Sequence, residues 1–330
     1  MGVTMRKTRV SLRALCGLAA ALASIAVFAQ DPAYPSRAVR MLVPNAPGSS
    51  IDTMSRIVAA KLGDALGQSV FVENRDGAGG LIGVEAGRAA KPDGYTLICA
   101  SNGSMLIAPL LKKNVPYDAV NDFEHIGSFA VTPNVLIVNP ELPVKSVKEL
   151  IDYARANRAT INMASAGVGS QSHLSGVLLM TMANFESLVV PHKGGGPSVN
   201  SVVAGQTHWT FTPAPAVMPF VKNGRLRAIG QSLPRRSAML GDIPPVADSI
   251  PGYDFSGWAG LVAPKGIPQA VIDRLHAALM KTLDLAEVKD GLAKQGAEVF
   301  TGSPEDFRKF LAQDQASTVK VIQAAKLQAD

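Results

Sequence analysis

The sequence has 330 residues, of which 47% are hydrophobic and 18% charged, and this length suffices to bury a sizeable core in one domain or two. The composition is typical of a globular protein and excludes a long disordered chain. The formal net charge is +6. Because the Lys and Arg residues are scattered and are not interleaved with aromatic residues, no nucleic-acid partner is expected.

The first 29 residues have the pattern of an export signal. Four basic residues between positions 6 and 13 precede an apolar run from Ala14 to Phe28 that contains no acidic residue. This pattern predicts a secretory signal peptide over residues 1–29, cleaved after Ala29. Cleavage would leave 28 basic and 26 acidic residues. Since no later stretch has 18 unbroken apolar residues, we expect an exported, soluble mature protein.

From residue 38 onward, short apolar runs alternate with longer stretches in which apolar residues recur at helical spacing. The runs predict strands at 38–43, 69–74, 95–100 and 134–140, and a stripe from Ile51 to Leu66 predicts the first helix. The stretch "GAGGLIG" at 77–83 resembles a dinucleotide-binding fingerprint, but Ile82 occupies the place of the third glycine. We therefore interpret it as a turn followed by a helix start.

The second half of the chain continues the alternation. Ser146, three residues before Glu149, predicts a helix start, and "INMAS" at 161–165 predicts a strand. A stripe over 271–282 predicts another helix, and "SPED" at 303–306 predicts the start of the last one. Together the elements predict an α/β fold with mostly parallel sheets. Cys99 lies in one of the strand-like runs, where we expect a buried, inert thiol.

Two loops join a predicted strand to a predicted helix through small residues. In the first loop, "VPNAPGSSID" at 43–52, the predicted N-cap is Ser49 or Ser50. In the second loop, "INMASAGVGSQSHL" at 161–174, the predicted N-cap is Ser170 or Ser172. The first turn of a helix has N–H groups without intrahelical partners, and the helix dipole favours negative charge there. Each loop is therefore a candidate site for a carboxylate, although most loops of this kind bind nothing.

A mature chain of this size suggests two domains. Pro and Gly interrupt the pattern near 129–135 and 251–260. Two crossings predict a discontinuous first lobe over 30–130 plus 255–330, and a second lobe over 131–254. A cleft between the lobes is then the default ligand site.

Five stretches carry a more specific pattern: "YPSRAVRMLVPNAPGSSID", "LGQSVFVENRDGAGGLIGVEAGRAAKPDGYTL", "YDAVNDFEHIGSFAVTPNVLIVNP", "SAGVGSQSHLSG" and "PHKGGGPSV". Together they resemble the solute receptors of tripartite tricarboxylate transporters, called the Bug family, and the resemblance continues through "GWAGLVAPKGIPQAVIDRL" and "QGAEVFTGSPEDF". It implies a periplasmic binding protein of the Venus flytrap type, with two α/β lobes and no catalysis.

The resemblance also implies the ligand and the partners. A small carboxylate would be captured between the two loops and delivered to the membrane components of such a transporter, although some members serve sensing instead. We expect a monomer without a cofactor. The residues predicted to form the ligand site are Asn45, Ala46, Pro47, Gly48, Ser49, Ser50, Asp52, Ser101, Asn102, Ser165, Gly167, Gly169, Ser170, Ser172, His173, Gly195 and Thr212.

Two of these residues have an equally good alternative role. Asp52 could contact the ligand or simply favour the positive end of its own helix. His173 could form a hydrogen bond with a ligand or a water molecule, or pack against its own helix.

Two departures from the family pattern bear on the ligand. The family commonly has "YKGGGP" and "FDN" where this sequence has "HKGGGP" at 192–197 and "FTP" at 211–213. His192 replaces an aromatic residue, and Thr212 replaces the acid that would hold an amino group. This favours plain mono- or dicarboxylates, aliphatic or aromatic, over amino acids.

The main alternative is an exported hydrolase that uses Ser and His in the cleft. The sequence has no G-x-S-x-G elbow, and the neighbours Ser172 and His173 would point in different directions on a helix. The five histidines show no spacing typical of a zinc site. A ligand-sensing module for a membrane sensor would share the fold and the site and differ only in its partner.

Overall fold

The computed structural model describes Gly2 and residues 34–158 and 160–327. The predicted signal peptide over 1–29, with its cleavage point, lies outside the described residues. From Arg37 onward the described chain forms one compact unit. Eleven strands are described: β1 (Val39–Val43), β2 (Val70–Asn74), β3 (Thr96–Ser101), β4 (Phe123–Thr132), β5 (Asn134–Val138), β6 (Asn162–Ser165), β7 (Leu188–Pro191), β8 (Trp209–Pro213), β9 (Arg227–Gln231), β10 (Gly257–Pro264) and β11 (Glu298–Val299).

Ten α-helices flank these strands in the described chain. They are α1 (Ser50–Leu66), α2 (Leu81–Arg88), α3 (Ala108–Leu110), α4 (Val147–Ala156), α5 (Gln171–Met182), α6 (Gly195–Val203), α7 (Ala214–Lys222), α8 (Gln269–Leu283), α9 (Ala286–Lys294) and α10 (Pro304–Ala324). A π-helical turn over Gly103–Ile107 leads into α3, and 3₁₀ turns cover Ala78–Gly80 and Val246–Asp248. No helix in the described ranges is both long enough and apolar enough to cross a bilayer.

The strands form two sheets. The first sheet has the order β11-β4-β10-β3-β1-β2 and the second has the order β7-β6-β8-β5-β9. The α/β class and the individual strands predicted near 38–43, 69–74, 95–100, 134–140 and 161–165 are thereby confirmed. The turn and helix start predicted for 77–83 are also present.

The prediction of mostly parallel sheets is confirmed, since most strands of each sheet run in one direction, although each sheet also contains antiparallel strands. β1 runs parallel to β2 and β3, but β10 is antiparallel to both β3 and β4. In the second sheet β6 is parallel to β7 and β8, whereas β5 is antiparallel to β8 and β9. The antiparallel strands β5 and β10 are the first strands after the chain passes from one sheet to the other. They are not joined to their neighbours by the helical crossovers that parallel strands need.

The chain passes between the sheets at two places. β4 ends at Thr132 and β5 begins at Asn134, so one residue separates a strand of the first sheet from a strand of the second. The chain returns through the segment between β9 and β10. Helix α10 adds a third link, since Phe307 and Leu311 pack in a core cluster of the first sheet while Val321 and Ile322 pack with residues of the second. Helix α10 therefore packs against elements of both sheets.

The helix starts follow from their capping residues. Ser146 Oγ accepts a hydrogen bond from Glu149 N at 3.2 Å. Ser303 and Asp306 form a reciprocal capping box at the start of α10. These contacts satisfy N–H groups that the helices cannot satisfy internally, as the sequence predicts.

Cys99 is fully buried in β3, as expected for an inert thiol. Burial raises the pKa of the thiol to about 12, against the opposing effect of a hydrogen bond from Ser55. The Oγ of Ser55 lies 3.0 Å from Cys99 Sγ. The thiol therefore stays protonated and unreactive at neutral pH.

Candidate ligand-binding site

A cavity of about 550 Å³ lies between elements of the two sheets. From the first sheet and its helices it is lined by Asn45, Ser50, Ile51, Met54, Ser101, Asn102, Gly103, Ile107, Thr132, Gly257, Trp258, Lys294 and Gln295. From the second it is lined by Gly169, Ser170, Gln171, Pro213, Pro215 and Ala216. This volume is in the range typical of pockets for small molecules.

The loop before α1, residues 43–49, is held by a buried carboxylate. Asp52 is only 3% exposed, and its Oδ2 accepts a hydrogen bond from Gly48 N at 2.8 Å. Arg56 Nε lies 3.0 Å from Asp52 Oδ1, and Asn74 Nδ2 donates to the same oxygen at 2.8 Å. Asn74 Nδ2 also lies 3.0 Å from the carbonyl oxygen of Asn45. Asp52 therefore anchors the loop, and its carboxylate is fully occupied by protein groups.

The pKa of Asp52 agrees with this role. Burial by itself would raise the pKa of this carboxyl, but hydrogen bonds from Arg56, Gly48 N–H and Asn74 outweigh burial and lower the pKa below its ordinary value. The charged form is thus the stable one, and it lies where the positive end of α1 also favours it.

A close approach of α2 fixes the other side of the same loop. A Cβ atom on Gly83 would lie 2.4 Å from the carbonyl oxygen of Arg75 and 2.8 Å from Pro44 Cα. Only glycine allows this contact, so α2 supports the loop at the point where β1 ends. The "GAGGLIG" stretch therefore has a packing role beside the site.

Capping leaves two N–H groups of α1 free to face the cavity. Ser49 is the N-cap, and its side chain accepts from Asp52 N at 3.2 Å. Thr53 N donates to Ser49 O. The N–H groups of Ser50 and Ile51 have no acceptor among the described residues. Both residues line the cavity, so the positive end of α1 opens into it.

The second loop, residues 166–170, repeats this arrangement at α5. Ser170 is the N-cap and accepts from His173 N at 3.3 Å. Gln171 N–H has no acceptor in the described part of the chain, and Gln171 lines the cavity. The Nε2 atom of the Gln171 side chain is also buried without a hydrogen-bond partner. Unsatisfied buried donors carry a free-energy cost, which a ligand or water oxygen would remove.

Ser172 and His173 support the second loop from behind. Ser172 Oγ accepts from Ala166 N at 2.8 Å, and His173 Nδ1 accepts from Gly169 N at 3.0 Å. Acceptance at Nδ1 means that the proton of the neutral imidazole is on Nε2. Burial lowers the pKa of His173, which keeps the imidazole neutral and able to accept.

A third loop follows β3. Ser101 Oγ lies 3.1 Å from Ser104 Oγ, and Asn102 Nδ2 lies 3.4 Å from the carbonyl oxygen of Ser256. Ser101 and Asn102 both line the cavity, together with Gly103 at the start of the π-helical turn. π-Helical turns are often found at functional sites.

The structure separates the predicted site residues into two groups. Six line the cavity: Asn45, Ser50, Ser101, Asn102, Gly169 and Ser170. The others lie outside its lining: Ala46, Pro47, Gly48, Ser49, Asp52, Ser165, Gly167, Ser172, His173, Gly195 and Thr212. Several of these build the loops, as Asp52 and His173 do. Thr212 is 4% exposed within β8 and pairs with Val135, and the adjacent Pro213 is the residue that lines the cavity.

Sequence reasoning missed several lining residues that come from distant segments. Trp258 is the second residue of β10, the strand with which the chain re-enters the first sheet, and Lys294 is the last residue of α9. Gln171 directly follows the predicted N-cap Ser170, so its position at the start of a helix could have identified it as a residue near the site. No sequence pattern near Lys294 indicates that it belongs to the site, because only the packing of α9 on α1 brings it to the cavity.

Trp258 connects the cavity with α10. Its indole Nε1 donates to Asp314 Oδ2 at 2.6 Å. Burial raises the pKa of Asp314 to about 6, and the hydrogen bond from Trp258 acts in the opposite direction. The ring also packs edge-on against Phe307 and Phe310. These contacts fix the orientation of one wall of the cavity.

The formal charge on the described lining of the cavity is positive. Lys294 is the only charged residue among the described lining residues, and no carboxylate is among them. A second cavity of about 320 Å³ is lined by Asp254 and Asp314 as well as Arg235, and no residue from the start of α1 or α5 lines it. An anion is therefore much better accommodated in the larger cavity.

The sequence matches the family described as "Tripartite tricarboxylate transporter family receptor" over residues 54–327. This chain belongs to that family. It is 34% identical to Protein BugT of Bordetella pertussis over 312 residues, which cover 94% of this chain and 95% of BugT. The predicted membership of the Bug family is thereby confirmed, and with it the assignment as a solute-binding receptor rather than an enzyme.

Solved structures of relatives share the fold. A Rhodopseudomonas palustris protein solved with adipate is 31% identical, with a TM-score of 0.72 and coverage of 90% of this chain and 100% of that protein. MatC from the same organism, solved with bound malate, is 29% identical, with a TM-score of 0.68 and coverage of 88% and 100%. The expected two-lobed periplasmic binding protein fold is thereby confirmed.

The contact between His173 and Gly169 makes a testable prediction. His173→Ala should lower the free energy of unfolding by about 1 to 2 kcal/mol at about pH 8, because Gly169 N–H loses its buried acceptor. In the folded protein the pKa of His173 lies below the ordinary value of 6.5. The stability that the neutral imidazole contributes is therefore present above the ordinary pKa and is lost as the pH falls below it. The difference between wild type and variant in urea unfolding should therefore shrink at about pH 5.

His192→Ala is the matched control, because the His192 ring contacts a carbonyl oxygen, that of Val190, rather than a main-chain N–H. A His173→Ala variant as stable as wild type at both pH values would contradict this role for the imidazole.

Proposed function

We propose that this protein captures a small carboxylate, aliphatic or aromatic, between two lobes and delivers it to the membrane components of a tripartite tricarboxylate transporter. The proposal includes export to the periplasm after cleavage behind Ala29 and action as a monomer. The lobes would comprise 30–130 plus 255–330 and 131–254. The observation that carries the proposal is the pair of helix N-termini, α1 and α5, that open into one cavity without a lining carboxylate.

The proposed ligand class follows from the donors. Ser50, Ile51 and Gln171 offer main-chain N–H groups without acceptors among the described residues. Carboxylate oxygens accept such N–H groups in charge-assisted hydrogen bonds worth roughly 1.5 to 3 kcal/mol each. A few of these bonds would supply micromolar affinity, about 8 kcal/mol, after the cost of association. Adipate and malate, found with the two relatives, are suitable first probes.

Proline substitutions test the N–H donors directly. Proline is well tolerated at the first position of a helix, and Ser49 and Ser170, which precede the sites, have the extended conformation that a following proline prefers. Ser50→Pro and Gln171→Pro should each weaken binding of adipate and malate about tenfold, since each removes a charge-assisted hydrogen bond. Isothermal titration calorimetry measures the loss, and thermal unfolding should change little.

Two controls accompany these variants. Ser50→Val and Gln171→Val have side chains of similar bulk but keep the main-chain N–H, so they separate the donor from steric effects. Gln269→Pro places a proline at the first position of α8, which does not line the cavity. If both proline variants at the cavity bind carboxylates as tightly as wild type, the helix N-termini are not the site.

Capture between lobes predicts closure around the ligand. If one carboxylate must accept N–H groups from α1 and α5 together, binding favours the conformation in which the two helix starts are closest. The short crossing between β4 and β5 and the segment between β9 and β10 would absorb the rotation. Small-angle X-ray scattering at saturating ligand should give a smaller radius of gyration. Superimposable profiles with and without ligand would exclude a hinge motion.

Delivery to a transporter has its own test. Spheroplasts that contain the tripartite tricarboxylate membrane components of the source organism should take up labelled adipate or malate only when the purified protein is added. The Gln171→Pro variant should support less uptake at subsaturating ligand. Tight binding without stimulated uptake would favour the sensing role instead.

A further inference from the structure

The position of Lys294 follows from the packing of α9 on α1. Lys61 Nζ forms an ion pair with Glu287 Oε1 at 2.8 Å. One turn further along α9, a Cβ atom on Gly291 would lie 3.1 Å from Ile57 Cγ2. The two helices therefore run antiparallel, so that residues one turn later in α9 contact residues one turn earlier in α1.

The same register places Lys294 beside Met54. Met54 and Lys294 both line the cavity. Met54 lies four residues after Ser50, which corresponds to about 6 Å along the helix axis. Lys294 is thus close to one helical turn away from the free N–H groups of Ser50 and Ile51.

The segment after α9 lies where the elements of the two sheets meet. A Cβ atom on Gly296 would lie 2.4 Å from Pro215 Cδ at the start of α7. Pro215, Lys294 and Gln295 all line the cavity. Lys294 is therefore at the edge of the cavity and remains solvent-exposed.

Lys294 has no counter-charge among the described residues. Its neighbour on the same helix, Lys289, forms an ion pair with Asp284 at 3.2 Å, but no described carboxylate forms an ion pair with Lys294. It is also the only charged residue among the described lining residues. A cation at the edge of a cavity that already favours anions at its helix N-termini indicates a second position for negative charge.

We propose that Lys294 is a specificity-determining residue that binds the second anionic group of a dicarboxylate whose first carboxylate accepts the N–H groups of α1 and α5. This inference rests on the proposed function and narrows its ligand class from mono- or dicarboxylates to dianions. A flexible lysine reaches ligands of different length, so the residue selects for the second charge more than for one chain length.

The test compares dicarboxylates with monocarboxylates of matched chain length. Adipate is paired with hexanoate, and succinate with butyrate, in isothermal titration calorimetry at low and at high salt. Lys294→Met should weaken adipate or succinate about tenfold, equivalent to about 1.4 kcal/mol, and leave the monocarboxylates within about twofold. Because Lys294 is exposed, the selectivity of the wild type should decrease as salt rises.

Lys281→Met is the matched control. Lys281 is likewise an exposed lysine in the last turn of a helix, α8, but it does not line the cavity. Lys281→Met should keep the wild-type selectivity, and Lys294→Arg should restore most of it. Equal stability of the three variants in thermal unfolding separates a loss of the charge from a loss of folding.

The outcomes separate this inference from the function on which it rests. If wild type and Lys294→Met prefer dicarboxylates over monocarboxylates to the same extent, Lys294 does not bind the second charge. The proposal that the protein captures carboxylates would be unaffected. Failure of every mono- and dicarboxylate to bind the wild type would overturn both. A selective loss of dicarboxylate affinity in Lys294→Met alone supports the inference.

Discussion

The candidate ligand site depends on the N–H groups that a helix leaves unpaired in its first turn. Two helices, α1 and α5, begin at one cavity, and each N-cap serine takes the N–H of the third helical residue but leaves the first two free. The caps thus stabilise the helices while keeping donors available. The absence of any lining carboxylate in the described cavity makes the same place favourable for an anion.

The residues around these donors act mainly by holding main chain in place. Asp52 binds Gly48 N–H, and His173 binds Gly169 N–H, at the same four-residue separation in both loops. One loop therefore uses a carboxylate, with its charge balanced by Arg56, and the other uses a neutral imidazole. Because the Asp52 carboxylate and His173 Nδ1 are already occupied by the protein, the donors that open into the cavity include main-chain N–H groups of α1 and α5. This suits a receptor that binds without chemical conversion.

The roles of individual polar residues were only partly predictable from the sequence. Both loops and both capping positions could be located, because serine is among the residues that most strongly favour the N-cap and an apolar helical stripe follows it in each loop. Whether Asp52 and His173 face a ligand or their own loop could not be decided in this way. A polar side chain in the first turn can do either, and the choice depends on whether Arg56, Asn74 or a main-chain N–H lies within reach in three dimensions.

By itself, the sequence determined the α/β class, the positions of the strands and helix starts, the family and the two loops from which helices begin at the cavity. These follow from periodicity and capping, which are local. The tertiary structure decided that the sheets are mixed and that Trp258 and Lys294 border the cavity. Those residues are more than 200 positions from Ser50 in the chain. Only the return of β10 between β3 and β4, and the antiparallel packing of α9 on α1, brings them there, because such contacts depend on long-range packing that no local pattern encodes.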